Sequence, residues 1–218
     1  MIVTKTFQAP PVCQQEILRY AGCKQADPQT EALLEDCLQE VADKLTYQVC
    51  YAQLPVTVSE ALCQFGHFSV RSEKLARNLK GCCRMVLFGA TLGVEIDRLI
   101  AKYGRIAPAR ALLLQAIGAE RIEALCDLFC EEIAQETGLS ARPRFSPGYG
   151  DLPLSVQKDI FSVLDCQRKI GLTLTDSLLM RPSKSVTAFL GLTTDRETHL
   201  KQGCSACDKQ DCAFRGAL

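Results

Sequence analysis

The eight residues from Arg144 to Asp151, RFSPGYGD, bring together a planar cation, a bend and a phenol. Pro147 and Gly148 fit the two central positions of a type II turn, the second of which takes a positive φ. That explains the proline and the glycine but leaves Arg144 and Tyr149 unexplained. A guanidinium fork matches a carboxylate bidentately. A glycine lets backbone approach a ligand closely. A tyrosine offers its ring face to a cation and its hydroxyl to a polar group. A ligand with a carboxylate at one end and a cationic centre near its middle suits this trio, and an amino-acid sulfonium is one such ligand.

A second group lies near the C-terminus, where GCSACDKQDCAFR carries Cys204, Cys207 and Cys212. A Cys-x2-Cys pair puts two thiolates on one side of a tight turn, and Cys212 can return as a third ligand. Zinc and iron–sulfur clusters normally take four ligands. The fourth would be Cys166, Cys82, Cys83 or a partner's group, and spacing does not choose among them. A redox dithiol at Cys204 and Cys207 is the competing chemistry, and an inert tail is the plain reading. The spacing is not the Cys-x3-Cys-x2-Cys run of radical enzymes. The chain has 13 cysteines. Most of the others read as small buried hydrophobes, with Cys37, Cys126 and Cys130 at helical spacing among apolar neighbours. His67 and His199 are the only histidines, and neither sits in an HExxH pattern. No GxSxG elbow is present, so nothing points to a hydrolase. FGATLG, Phe88 to Gly93, is glycine-framed but lacks the fuller phosphate-binding patterns, and a plain tight turn is the simpler reading.

The elements that must position these residues read as follows. QQEILRYAG is a short helix closed by Gly22. Asp27-Pro28 caps a helix through Leu34, Cys37, Leu38, Val41 and Leu45. LTYQVCYAQLPVTV alternates like strand, with Pro55 interrupting it. SEKLARNLKG is helical, and CCRMVLFGATLG is a buried strand running into a turn. VEIDRLIAKYG is a helix, and a second helical region from Pro108 to Gly138 is expected to break near Gly118. Asp151 with Pro153 is expected to start the next helix, through Ile160, Phe161 and Leu164. GLTLTDSLLM and KSVTAFLGL are expected to be strands joined at Arg181-Pro182-Ser183. Helices dominate the middle and strands flank them, which favours an α+β fold.

The 218 residues suggest one domain, or one domain with a small appendage, and 47% hydrophobic residues is a globular value. Lysine and arginine balance aspartate and glutamate at 25 each, which argues against nucleic-acid and anionic-membrane partners. No apolar run approaches the roughly 20 residues needed to span a bilayer. MIVTKTFQAPPVCQQE lacks the regions of a secretion signal. A cytoplasmic protein is expected.

Arg144-x3-Gly148-Tyr149, followed by KIGLTLTDSLLMRPSKSVTAFLGL at 169–192, resembles the activation domain of cobalamin (vitamin B12)-dependent methionine synthase. Weaker similarity extends back through EILRYAG and FGATLG. The resemblance implies a twisted antiparallel sheet with helices around it over 1–192; the residues themselves mark 193–218 as a polar, cysteine-bearing tail. It implies a role in reactivation. S-adenosylmethionine supplies a methyl group while an electron donor reduces inactive cob(II)alamin, and methylation traps the reduced state. By the same carry-over, Arg144 would hold the methionine carboxylate. Gly148 and the backbone at Ser146 would line the ligand, and Tyr149 would lie near the corrin and the transferred methyl. The nucleophile would be the cobalt, which agrees with the lack of an acid–base constellation in the chain.

Three departures qualify that carry-over. The cobalamin signature Asp-x-His-x2-Gly is absent, so the corrinoid is expected on a partner, a methionine synthase or a methyl-carrier protein. Lys184 stands where the long synthases tend to have small residues, and it reads as a solvated side chain. The cysteine tail is foreign to the long synthases and offers a second electron route. A flavodoxin or ferredoxin-type donor is expected, with a cluster at the tail replacing it or receiving from it. The rival reading is a metal- or iron–sulfur-binding electron-transfer or sensor protein that reuses the fold.

Overall fold

The computed structural model describes residues 1–23, 26–66 and 68–195. Within them β1 (Val3–Phe7) is followed by α1 (Gln14–Tyr20), α2 (Pro28–Val41) and β2 (Tyr47–Leu54). A small antiparallel sheet comes next, β3 (Thr57–Ser59), β4 (Leu62–Phe65) and β5 (Phe68–Arg71), leading into α3 (Glu73–Leu79). Then come β6 (Arg84–Thr91), α4 (Glu95–Ile106), the long α5 (Pro108–Thr137) and β7 (Ser140–Ala141). The chain continues with α6 (Gln157–Leu164), α7 (Cys166–Ile170), β8 (Thr173–Leu174), β9 (Met180–Arg181) and β10 (Ser185–Thr193).

The main sheet has the order β1-β2-β6-β10-β7, and every pairing is antiparallel. Its central strands are buried on both faces, and they read as nearly continuous apolar runs for that reason. Side chains alternate across β6. Met85 and Leu87 join Cys50, Phe65, Leu75, Ile160 and Phe189 on the face covered by α3, α6 and α7. Val86, Phe88 and Ala90 join Tyr51, Leu190 and the second half of α5 on the other face. Phe129 of α5 sits at the centre of that second layer, with ring centroids 4.9 Å from Phe88 and 5.2 Å from Tyr51. The first half of α5 faces elsewhere, packing Leu114 and Ile117 against Ile17, Leu34 and Ile96. A single helix thus serves two cores, and its buried positions spread around more than one face.

The helical caps behave as the sequence implies at α2, where the Asp27 carboxylate accepts from the Thr30 amide at 2.7 Å. Four other expectations are corrected. α5 runs unbroken through Gly118. The glycine's role is steric: a Cβ there would lie 2.9 Å from the Lys184 side chain, so the lysine's methylenes need the space. Lys184 is therefore half-buried rather than solvated, and burial pulls its ammonium below the ordinary lysine value. GLTLTDSLLM forms only the two-residue strands β8 and β9, because Asp176, Ser177 and Leu178 make the turn between them and Leu178 takes φ +64°. FGATLG is mostly strand interior, since β6 extends to Thr91 and only Gly93 takes the turn conformation, φ +79°. Among the described residues no helix is long and apolar enough to cross a membrane.

Candidate functional site

The segment from β7 to Phe145 runs along the free edge of β10. Ala141 pairs with Leu192, and Phe145 pairs with Phe189. Four steps on one strand oppose three on the other, so the edge carries one extra residue, a bulge. Pro143 lies within it and has no amide hydrogen to donate to a ladder. A bulge re-aims a side chain, and here the re-aimed side chain is Arg144. Its Nη2 donates to Glu123 Oε2 at 2.6 Å, and its Nη1 donates to Asp127. Both carboxylates stand on α5 four residues apart, and so on one face of the helix. The Arg144 side chain is 21% exposed, whereas Glu123 and Asp127 are 46% and 64% exposed. Beneath the guanidinium, burial pushes the Cys130 thiol up to about 11 against the opposing pull of Arg144, and burial pushes Cys126 up further. Both are neutral core thiols, as Cys37 is.

After Phe145 the chain makes the expected turn. The Tyr149 amide donates to the Ser146 carbonyl at 3.2 Å, and Gly148 takes φ +89°. A second closure follows, with the Gly148 amide donating to the Leu152 carbonyl at 2.9 Å. The loop is held at both ends. Phe145 and Phe189 exchange two backbone hydrogen bonds at one end. At the other, Asp151 reaches back to α3: the Ser72 hydroxyl donates to its carboxylate at 2.6 Å, and the Glu73 amide donates at 2.7 Å. These donors, the Ser72 hydroxyl foremost, hold the Asp151 carboxyl below the usual carboxylate range. The sequence places the start of the next helix at Asp151 with Pro153. The Asp151 carboxylate instead accepts from the first-turn amides of α3, beside the N-cap Ser72, and the following helix begins as a 3-10 turn at Leu154 with no side-chain cap.

Between these anchors Gly148, Tyr149 and Gly150 are exposed, with Tyr149 at 70%. A cavity of about 690 Å³ adjoins the turn. Its apolar wall includes Val94, Leu154, Leu179 and Met180, and its polar groups include Asp97 and Arg181. Leu154 joins cavity to turn, because a Cβ on Gly148 would lie 3.2 Å from its Cδ1. Val94, Tyr149, Leu154 and Leu179 are among the few large apolar side chains left exposed. Asp97 closes one side by accepting from the Ser183 amide at 2.7 Å and the Ser183 hydroxyl at 2.5 Å.

Arg144, Ser146, Gly148 and Tyr149 thus share one anchored loop. Glu123, Asp127, Asp97 and the cavity wall were not singled out in the sequence, and only the pair of acids four apart on a helix offered any signal. Cys204, Cys207, Cys212 and both histidines lie outside the described residues. Among the described residues no group of three or more histidines, cysteines or acids is placed to hold a metal ion. Of the proposed fourth ligands, Cys166 is fully buried with its Sγ 3.8 Å from that of Cys50, while Cys83 is exposed.

Comparison with known proteins bears on the same region. The family described as vitamin B12 dependent methionine synthase, activation domain, matches residues 84–199. Among solved structures, the chain is similar to the MetH reactivation domain bound to AdoHcy, with a TM-score of 0.69 and 13% identity over 91% of this chain and 80% of that one. At that identity the likeness is one of fold: helices packed around a curled antiparallel sheet. No curated protein matches the chain in sequence.

Proposed function

The chain belongs to the vitamin B12-dependent methionine synthase activation domain family, and on that premise we propose that it binds S-adenosylmethionine at the Arg144–Tyr149 loop and presents the methyl group to a cobalamin carried by another chain. The observation that carries this reading is the loop itself. It is fixed at both ends, exposes Gly148 and Tyr149, and lies beside a cavity of about 690 Å³. That volume falls in the range of small-molecule sites, roughly 300–1,000 Å³.

The residues fit the ligand's chemistry. A methionine moiety is zwitterionic and needs a cation for its carboxylate and an anion for its ammonium. Arg144 supplies the first, and Glu123 or Asp127 supplies the second. The apolar wall at Leu154 and Leu179 suits a nucleoside face, and the positive φ of Gly148 lets backbone approach without a Cβ. The chain's task in the reaction is positioning and exclusion of water, since methyl transfer from a sulfonium needs no proton moved. Tyr149 stands exposed at the loop tip, where its ring would cover the methyl and meet the corrin. The bound cobalamin of the partner would supply the nucleophilic metal. The partner is a methionine synthase or related corrinoid protein, with electrons from a flavodoxin or ferredoxin-type donor.

The test mixes the chain with methyl-labelled S-adenosylmethionine, a reductant and a corrinoid methyltransferase chain that lacks its own activation domain, starting from cob(II)alamin. Label on the corrinoid, dependent on both the chain and the reductant, is the expected result. Label transfer at the same rate without the chain would contradict it.

A further inference from the structure

The cavity beside the binding loop is walled mostly by apolar side chains, and such sites orient a ligand through a few placed polar groups. Two of the polar groups here are already engaged with each other. Asp97 accepts from the Ser183 amide and the Ser183 hydroxyl, one on each carboxylate oxygen. Arg181 stands out in solvent. Gln157 differs from all three. It lines the cavity, it is only 5% exposed, and its Oε1 is enclosed without a hydrogen-bond partner. Among the described residues nothing holds its side-chain amide in a hydrogen bond.

Gln157 opens α6, directly after the 3-10 turn Leu154–Val156. Val156 and Ile160 on either side of it belong to the core beneath the main sheet. An unpartnered amide there is a net cost that an apolar side chain of the same length would not incur. Buried polar groups are normally paired, so an exception asks what pairs with it. The adjoining cavity supplies the answer. The position is also tied to the binding loop, because Leu154, one 3-10 turn earlier, is the side chain that a Cβ on Gly148 would meet at 3.2 Å.

We propose that Gln157 reads the nucleobase of the bound methyl donor, its amide oxygen accepting from the exocyclic amine of adenine. The inference rests on the methyl-donor reading of the Arg144–Tyr149 loop and adds to it the residue that selects the base. The terminal torsion of glutamine is broad and two-fold, so an amide that nothing holds turns its oxygen toward a ligand by rotation about one bond. Glutamine is matched to adenine because its amide offers an acceptor beside a donor, as adenine offers an amine beside a ring nitrogen. The base would lie against Leu154, Leu179 and Met180, which line the same cavity. Asp97 does not compete for the amine, since Ser183 occupies both of its oxygens.

The experiment titrates the full chain with S-adenosylhomocysteine and with the analogue in which purine replaces adenine, so that only the 6-amino group is missing. Wild type should bind S-adenosylhomocysteine on the order of 10-fold more tightly than the analogue, the weight of one buried hydrogen bond. In Gln157→Met, which keeps the length and removes the amide, the two ligands should bind within about 2-fold of each other. The melting temperature of Gln157→Met should equal or exceed that of wild type, because no hydrogen bond of the free protein is lost. A marked fall would show the amide already engaged in the free protein and would count against the role. In Arg144→Ala both ligands should weaken, since both carry the carboxylate, while the preference for adenine stays at about 10-fold. Equal affinities of wild type for the two ligands, or an undiminished preference in Gln157→Met, would overturn the inference and leave the methyl-donor reading standing. No saturable binding of S-adenosylhomocysteine to wild type would overturn both.

Discussion

Arg121 and Arg144 both pair with carboxylates carried by α5, yet their surroundings differ. Arg121 is 2% exposed, and its partner Glu120 is 4% exposed. Its remaining donors go to the carbonyls of Pro10 and Pro11 at 2.5 and 2.6 Å, and Glu120 also accepts from the Cys13 amide at 3.1 Å. Every strong group in that pair is used, and the pair fastens the N-terminal segment to the helix. Arg144 sits over carboxylates that are about half in water, on a bulged edge, beside an exposed loop. Its partners, unlike Glu120, stand half or more in water and can turn to solvent or to a ligand, while the guanidinium itself stays mostly covered. The same chemistry makes a structural rivet where it is buried and saturated; where its carboxylates face water, as at Arg144, it is suited to the ligand-binding role proposed above.

The comparison breaks most sharply at Arg121. Arg121→Ala leaves Glu120 buried without its cation and should cost about 3–5 kcal/mol of folding stability, read as a shift in the urea midpoint. An equal loss in Arg144→Ala would erase the distinction. The joint change Glu123→Gln with Asp127→Asn sharpens it from the other side. Stability should hardly move, while S-adenosylmethionine affinity falls by about 1–2 kcal/mol as the ligand's ammonium loses its anions. Unchanged affinity would leave those acids as mere companions of Arg144. The smallest effect belongs to the loop's far anchor. Asp151→Asn should cost about 1 kcal/mol at neutral pH, the usual worth of a helix cap. The folded carboxyl titrates below its unfolded value. Its contribution is therefore full above the unfolded value, near about 4, and fades as pH falls through the folded value. The mutant and wild-type midpoints should converge in acid, and a constant gap would mean that the carboxylate's charge is irrelevant.

Much of the site was legible because its information is local. Arg144, Pro147, Gly148 and Tyr149 fall within eight residues, and turn rules specify the glycine without reference to the rest of the fold. The cap at Asp27 was legible for the same reason. Asp151 shows the limit: an acid before a proline looks like the cap of the next helix, yet its carboxylate goes to α3, nearly 80 residues earlier in the chain. Gly118 misled in the same way. Its helix-breaking tendency is local, whereas the Lys184 stem that requires it arrives from β10. The pairing of Arg144 with Glu123 and Asp127 depends on how α5 lies over the sheet edge, which no single segment encodes.

The central claim is that Arg144 grips the carboxylate of a methionine-derived ligand. It is tested by calorimetric titration of wild type and Arg144→Ala with S-adenosylmethionine and with its decarboxylated analogue, anaerobically. The account predicts saturable one-site binding to wild type. The mutation should cost about 2 kcal/mol or more for S-adenosylmethionine and little for the analogue that has no carboxylate to lose. Equal penalties for the two ligands, or none for either, would contradict it.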